Sequence, residues 1–325
     1  MARKRSKVIL LNPFTCGIYK DGGARYKVDP ETGKRTSEID NQLGDHVEQL
    51  LQGQSPPGLA RVSLNQILRR RILVPRYYDY RWTEGLQSLL EREGLEPITL
   101  GQLEEQGIIE VGGGHGSPSN DVRNGTIPYI KVSDIRALRI NVNPTNLVPE
   151  PIAERFWGGR ESGLRAWDLI TPNRASSNIG EFAVLLPGEE RVVLTKEVFV
   201  IRVVREGASS WDPFYLLWAF CLKAVRLQWQ RVTLMQTNRE DVGARYQEIE
   251  IPRPKSRRWA REVSKPFRES FTTLAGARRQ FVETLAASGY EYVAAAYTTG
   301  AFVAEAETPE DVTALNNAEE DLVDD

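Results

Sequence analysis

The polar residues that could do chemistry in this 325-residue chain sit in loops and do not form a catalytic constellation. The two histidines, His46 and His115, lie in polar or glycine-rich surroundings without a matched nucleophile, which is not how a triad is built. Glu248-Ile249-Glu250 lacks the lysine that a nuclease carboxylate cluster requires, and no paired metal-ligand spacing occurs. Cys16 and Cys221 stand about two hundred residues apart with no ligand partners nearby, so neither a zinc site nor a disulfide framework is expected. Gly112-Gly113-Gly114-His115-Gly116-Ser117-Pro118 could offer backbone N–H groups to an anion, but it lacks the lysine of a P-loop and the order of a dinucleotide motif. A flexible turn is the simpler reading.

Another set of side chains suits a different task. Arg123 and Asn124 precede one apolar run, and Lys131 and Ser133 end it. Arg174, Ser176, Ser177 and Asn178 share a polar loop, and Arg231, Gln236, Asn238 and Arg239 follow an aromatic segment. Arginine can bond guanine with two donors, asparagine and glutamine can bond adenine, and serine or lysine can hold phosphate. Taken singly, each reads as an ordinary solvated loop residue. As a set they make candidate contacts to double-stranded DNA.

The elements that would position these loops can be read from periodicity. Val8 to Leu11 reads as a strand, 41–51 as a short helix, and Gln52-Gly53-Gln54-Ser55-Pro56-Pro57-Gly58 as a linker. From about residue 96 short β-rich runs take over, at 108–111, 127–132, 169–171, 182–186, 192–194 and 198–204. Asp212-Pro213 opens one helix whose apolar residues recur at three and four through Trp229, and a last strand spans 246–251 before Pro252-Arg253-Pro254. A helix over 265–285 carries Phe267, Phe271, Leu274, Phe281 and Leu285 at spacings of four and three, with Arg278 on one seam position. That is a short coiled-coil seam for a partner helix or a second copy. The expected organisation is a small adaptor (1–55), a helical connector (56–94), a main domain (95–254), a spacer helix (255–290) and an acidic, disordered tail (291–325).

The formal net charge of -2 hides a division along the chain. Residues 303–325 hold nine acids and no Lys or Arg, which leaves the body at about +7. That surplus permits nucleic-acid binding without identifying it. No stretch is apolar enough for a membrane span, and the basic start is followed by too short an apolar run for a signal peptide, so the cytoplasm is the expected compartment.

Ordered landmarks sharpen this picture. After the glycine run comes Gly125-Thr126-Ile127-Pro128-Tyr129-Ile130-Lys131-Val132-Ser133-Asp134-Ile135. Then follow Trp167-Asp168-Leu169-Ile170, Asn178-Ile179-Gly180-Glu181-Phe182-Ala183, Asp212-Pro213-Phe214-Tyr215-Leu216 and Glu248-Ile249-Glu250-Ile251-Pro252-Arg253-Pro254. In this order, over about 95–285, the chain resembles the target-recognition domain of type I restriction-modification specificity subunits. Trp167 stands where that family has glycine, and no second recognition domain follows residue 254. More weakly, Cys16-Gly17-Ile18-Tyr19-Lys20-Asp21-Gly22-Gly23 and Tyr26-Lys27-Val28-Asp29-Pro30-Glu31-Thr32-Gly33 resemble the tail of the catalytic domain of DNA adenine methyltransferases. The catalytic body with its Asn-Pro-Pro-aromatic motif is missing, and Leu11-Asn12-Pro13-Phe14 reads as a turn.

The resemblance implies an α+β fold: a target-recognition domain with a curved mixed β-sheet and packed helices, followed by a long spacer helix. It implies a non-catalytic, sequence-specific DNA-binding subunit of anti-phage defence. The partners it implies are a DNA adenine methyltransferase, which would hold S-adenosylmethionine, a restriction translocase-nuclease, and a second copy through the spacer helix. Two other readings stay open, a non-reading assembly adaptor and the detached recognition half of a split methyltransferase.

Overall fold

The computed structural model describes residues 7–19, 22–143, 145–176, 178–204, 210–236 and 239–290. The chain forms two compact units, Met1–Gly85 and Leu86–Asp325. The acidic run 303–325 lies outside the described residues.

In the first unit, strand Lys7–Leu11 pairs antiparallel with Leu59–Ser63. The Gln52–Gly58 segment is therefore a connection inside this unit, and the domain limit expected at residue 55 gives way to one at Gly85. Helix α1 (Gln42–Leu51) is capped by Asn41, whose side chain accepts from the Leu43 N–H. Helix α2 (Leu64–Arg70) is capped in the same way by Ser63. Leu10, Val62 and Ile67 form a small core. Leu11 ends the first strand and Asn12-Pro13-Phe14 leaves it as irregular chain: Asn12 donates to the buried Asp79 carboxylate at 2.7 Å, and Arg81 donates to that carboxylate and to the Asn12 carbonyl. Burial opposes the Asp79 charge, but Arg81 and Asn12 outweigh it and hold this carboxyl below the usual range.

Helix α3 (Glu84–Glu93) carries the chain into the second unit, where α4 (Leu100–Glu105) begins with a capping box between Thr99 and Gln102. A four-stranded antiparallel sheet runs in the order Ala183–Val184, Leu169–Pro172, Val198–Val203, Ile109–Gly113. Neighbouring residues of a strand point to opposite faces. Leu169, Val184 and Ile201 accordingly join the main core, while Ile170, Ala183 and Val200 join a second one. Burial on both faces explains why the fully buried Leu169–Pro172 and Ala183–Val184 read as continuous apolar runs. A three-stranded mixed sheet sets Ile127–Ile130 between an antiparallel Leu147–Val148 and a parallel Val193–Leu194, with α5 (Glu150–Trp157) beside it. The fold is thus mixed α and β as expected, with its strands shared among several small sheets.

Two element boundaries differ from expectation. The helix beginning at Asp212 breaks at Leu222, whose ψ of 123 is extended, into α6 (Pro213–Cys221) and α7 (Lys223–Val232). Apolar periodicity continues through the break, so pattern alone could not reveal it. The expected strand at 246–251 is a 3-10 turn, Gly243–Glu248, and then a short strand, Glu250–Pro252, paired with Pro97–Thr99.

The last described element is α8 (Arg257–Ala287), 31 residues long. Here the seam expectation is corrected. Phe271 is buried in the main core of its own unit, with Trp259, Val263, Phe267 and Leu274 packed against it. Arg268 donates to Asp212 at 2.8 Å and lies over the Phe214 ring, and Trp259 meets Trp218 edge-on at 5.6 Å. Heptad spacing specifies an apolar stripe, and this stripe is taken by α6 rather than by a partner helix. Among the seam residues Phe281 remains 57% exposed, and Leu285 is half-buried.

Candidate nucleic-acid interface

The landmarks of the sequence turn out to be joints. Gly114 packs so closely on strand 193–194 that a Cβ there would meet the Thr195 carbonyl oxygen at 1.9 Å, and one at Gly125 would meet Pro149 N at 2.0 Å. Asp134 accepts from the Lys131 N–H at 2.8 Å and from the Ser133 hydroxyl at 3.1 Å, which closes the Lys131-Val132-Ser133-Asp134 turn. Asp168 accepts twice from Arg202, at 2.8 and 2.6 Å, and once from the Arg165 N–H, tying a loop to the central strand. Asp212 caps α6 through the N–H groups of Phe214 and Tyr215. Trp167 adopts a left-handed φ of 69, with its ring against Phe214 at 5.1 Å.

The joints bring three loops to one edge of the unit. Asn178 is only 1% exposed, and its amide donates to the carbonyls of Val132 and Ile135 at 3.0 and 3.1 Å while its oxygen accepts from Arg136 at 2.6 Å. The 131–136 turn is thereby locked to the 173–178 loop. Asn173 donates to the Lys196 and Val198 carbonyls, bringing in the 195–197 turn, and Arg174 pairs with Glu197. The Val242 N–H donates to the Asn173 carbonyl at 2.9 Å, so the base of the paired strands Leu234–Gln236 and Arg239–Asp241 meets the same loop.

Several expected contacts therefore converge, but not all in the expected role. Lys131, Ser133, Arg174 and Ser176 lie on two of the three loops, 131–136 and 173–178. Asn178 lies among them as a buried cross-link, which corrects its assignment as a base contact: both ends of its amide are used inside the protein. Arg123 stacks over Tyr129 at 4.9 Å and donates to the Pro118 carbonyl, and the Lys131 ammonium stands 6.0 Å from the same ring. Asn124 is exposed beside them. Arg231 turns away to the Glu248 carbonyl and carboxylate. Gln236 and Arg239 are register partners across the strand pair, and Ser177 and Asn238 lie outside the described residues. Sequence reading missed Lys196 and Arg136, both exposed on this edge. Neither stands beside the other loops in sequence, so only the fold brings them to this edge.

The edge balances Lys131, Arg136, Arg174 and Lys196 against Glu197 and a buried Asp134, and it presents hydroxyl and amide groups between them. Such a surface suits a polyanion with hydrogen-bonding edges. His115 is not part of it: its Nδ1 accepts from the Leu194 N–H, its Nε2 bonds the Ser162 carbonyl, and burial lowers its affinity for a second proton. Among the described residues no group of His, Cys, Asp and Glu is placed to hold a metal ion, and no helix is long and apolar enough to cross a membrane.

A mixed α/β domain closed by a long helix is the class that this architecture defines. No family model and no curated protein matches the chain. Similar solved structures come from type I restriction-modification specificity subunits. The HsdS subunit from Thermoanaerobacter tengcongensis has a TM-score of 0.34 and 16% identity, over 70% of this chain and 44% of that one. The S subunit from M. genitalium has a TM-score of 0.34 and 9% identity, over 59% and 41%. A structure of type I restriction-modification complex assembly has a TM-score of 0.34 and 15% identity, over 80% and 58%. The chain thus spans about half the length of the proteins it is similar to.

Proposed function

We propose that this chain is a non-catalytic DNA-specificity subunit: it binds duplex DNA sequence-specifically and directs a partner DNA adenine methyltransferase to its site. S-adenosylmethionine is held by that partner, and a restriction translocase-nuclease is the further partner when the system defends against phage. The observation that carries this reading is the convergence of the 131–136, 173–178 and 195–197 loops on one basic, hydrogen-bonding edge, held by Asn178 and Asn173. Rigid elements present the loops, and the loop side chains supply the chemistry. Lysine and arginine on phosphates give affinity, while polar groups on base edges give sequence discrimination.

Selection from randomised duplexes tests this, with the purified chain alone and with its methyltransferase. The expected outcome is an enriched sequence, with binding that weakens as salt rises. Salt-sensitive binding without any enriched sequence would reject specific reading. It would favour the assembly-adaptor alternative, for which the internal commitments of Arg123, Arg174 and Arg231 speak.

A further inference from the structure

Helix α1 is poorly supported by its own unit. It has ten residues, of which only His46 is buried. Lone helices shorter than about 12–15 residues are marginal in water, and most helices in proteins are held by packing of an apolar face. Yet Leu43, Val47 and Leu51, spaced four apart on one face, are all exposed, Leu51 by 83%. The helix's own charges have one sign: Asp45 and Glu48 stand on it with no lysine or arginine, while Glu38 and Asp40, which precede it, are paired with Lys27 and Arg25.

Helix α2 shows the opposite character. Leu64 and Leu68, four apart, are exposed, Leu68 by 63%. Between residues 59 and 78 stand Arg61, Arg69, Arg70, Arg71 and Arg76, with no acid. Arg70 is engaged by Tyr77, while Arg61, Arg69 and Arg71 are exposed. One unit thus carries two open apolar stripes, one on a helix whose own charges are acidic and one on a helix whose own charges are basic.

The geometry points to a second copy of this chain as the occupant: α1 of each protomer docks on α2 of the other. Like stripes facing each other would set acid against acid or base against base, whereas the crossed pairing meets opposite charges at both contacts. A two-fold axis makes the two contacts equivalent and closes the assembly at two copies. This inference is independent of the DNA reading, and its test contains no DNA.

The test is the mass of the full-length chain by sedimentation and light scattering across about 1 to 100 µM. The wild-type chain is expected to be a dimer that dissociates on dilution. The double reversal Asp45→Arg with Glu48→Arg, and separately Arg69→Glu with Arg71→Glu, should each weaken the dimer at least about tenfold. Mixing the two variants should restore a dimer, because both crossed contacts then pair opposite charges again. Phe281→Asp, on α8, should leave the dimer intact. A wild-type chain that stays monomeric, a reversal variant as dimeric as wild type, or folded variants that fail to rescue each other would overturn the proposal. Should a double reversal not fold, Leu51→Glu and Leu68→Glu carry the same test at the most exposed apolar positions, and folded dimers of both would count against it.

Discussion

Replacing Asn178 with alanine separates a residue that reads bases from one that holds the readers. Its amide makes two bonds to backbone carbonyls and accepts one from Arg136. Each of the two buried bonds is worth about 1 kcal/mol net. The Arg136 bond adds less, because that side chain is exposed and screened by solvent. A total near 2–3 kcal/mol, in a unit of about 240 residues, lowers the melting temperature by roughly 4–12 °C. Calorimetry of Asn178→Ala reads the first effect, and duplex selection with the same protein reads the second. Affinity should fall alike for all sequences, because the 131–136 and 173–178 loops lose their common anchor, while the preferred sequence stays the same. Asn178→Asp should be worse than alanine, since it turns a carboxylate oxygen toward the carbonyls of Val132 and Ile135. An alanine variant that melts within about 1 °C of wild type and relaxes preference at a single base pair would show the amide to be a reader and refute the cross-link argument.

Three further outcomes follow from the packing. Phe271→Ala should cost about 3 kcal/mol or more in chemical denaturation, because the ring is buried against its own core, whereas Phe281→Ala should cost almost nothing; equal effects would contradict the intramolecular seam. Gly180→Ala should destabilise by about 1–3 kcal/mol, since φ is +76 and the added methyl would meet Trp229 at 2.9 Å; a neutral melt would contradict this. Burial pushes the Glu189 carboxyl up from its ordinary 4.5, against the attraction of Arg278 on α8. A raised carboxyl favours the fold most below its unfolded value, and that advantage is lost as pH rises through the folded value. The stability of wild type relative to Glu189→Gln should therefore decline as pH is raised from about 4, and a flat difference would count against the shift.

Much of the frame was legible in the sequence because it is built from residues with narrow jobs. Asp134, Asp168 and Asp212 are polar groups with fixed backbone or arginine partners, and Gly114 and Gly125 stand where a side chain cannot fit. Their types and order can be recognised without coordinates. Trp167 shows the limit. Its place in the pattern belongs to glycine, and the structure gives the reason: the backbone is left-handed there, and the indole is retained by packing on Phe214. The edge of the site was harder to read. Lys196 and Arg136 gain meaning only from sheet pairing that brings distant turns together, and Asn178 looks like a reader until its burial is known. The break at Leu222 and the destination of the α8 stripe were hidden for one reason: apolar spacing says that a face is covered but not by what.

The seating of α8 has a mechanical consequence. Its last tie to the unit is the pair between Arg278 and the buried Glu189, so about nine residues, roughly 14 Å of helix, continue past the anchored part. A stiff rod clamped at one end converts length into direction. Adding one residue beyond Arg278 would advance the tip by about 1.5 Å and swing it around the axis by roughly 100°, while adding eighteen would return it to its original azimuth about 27 Å farther out. The number of residues after the clamp therefore sets the bearing of the tip as well as its reach.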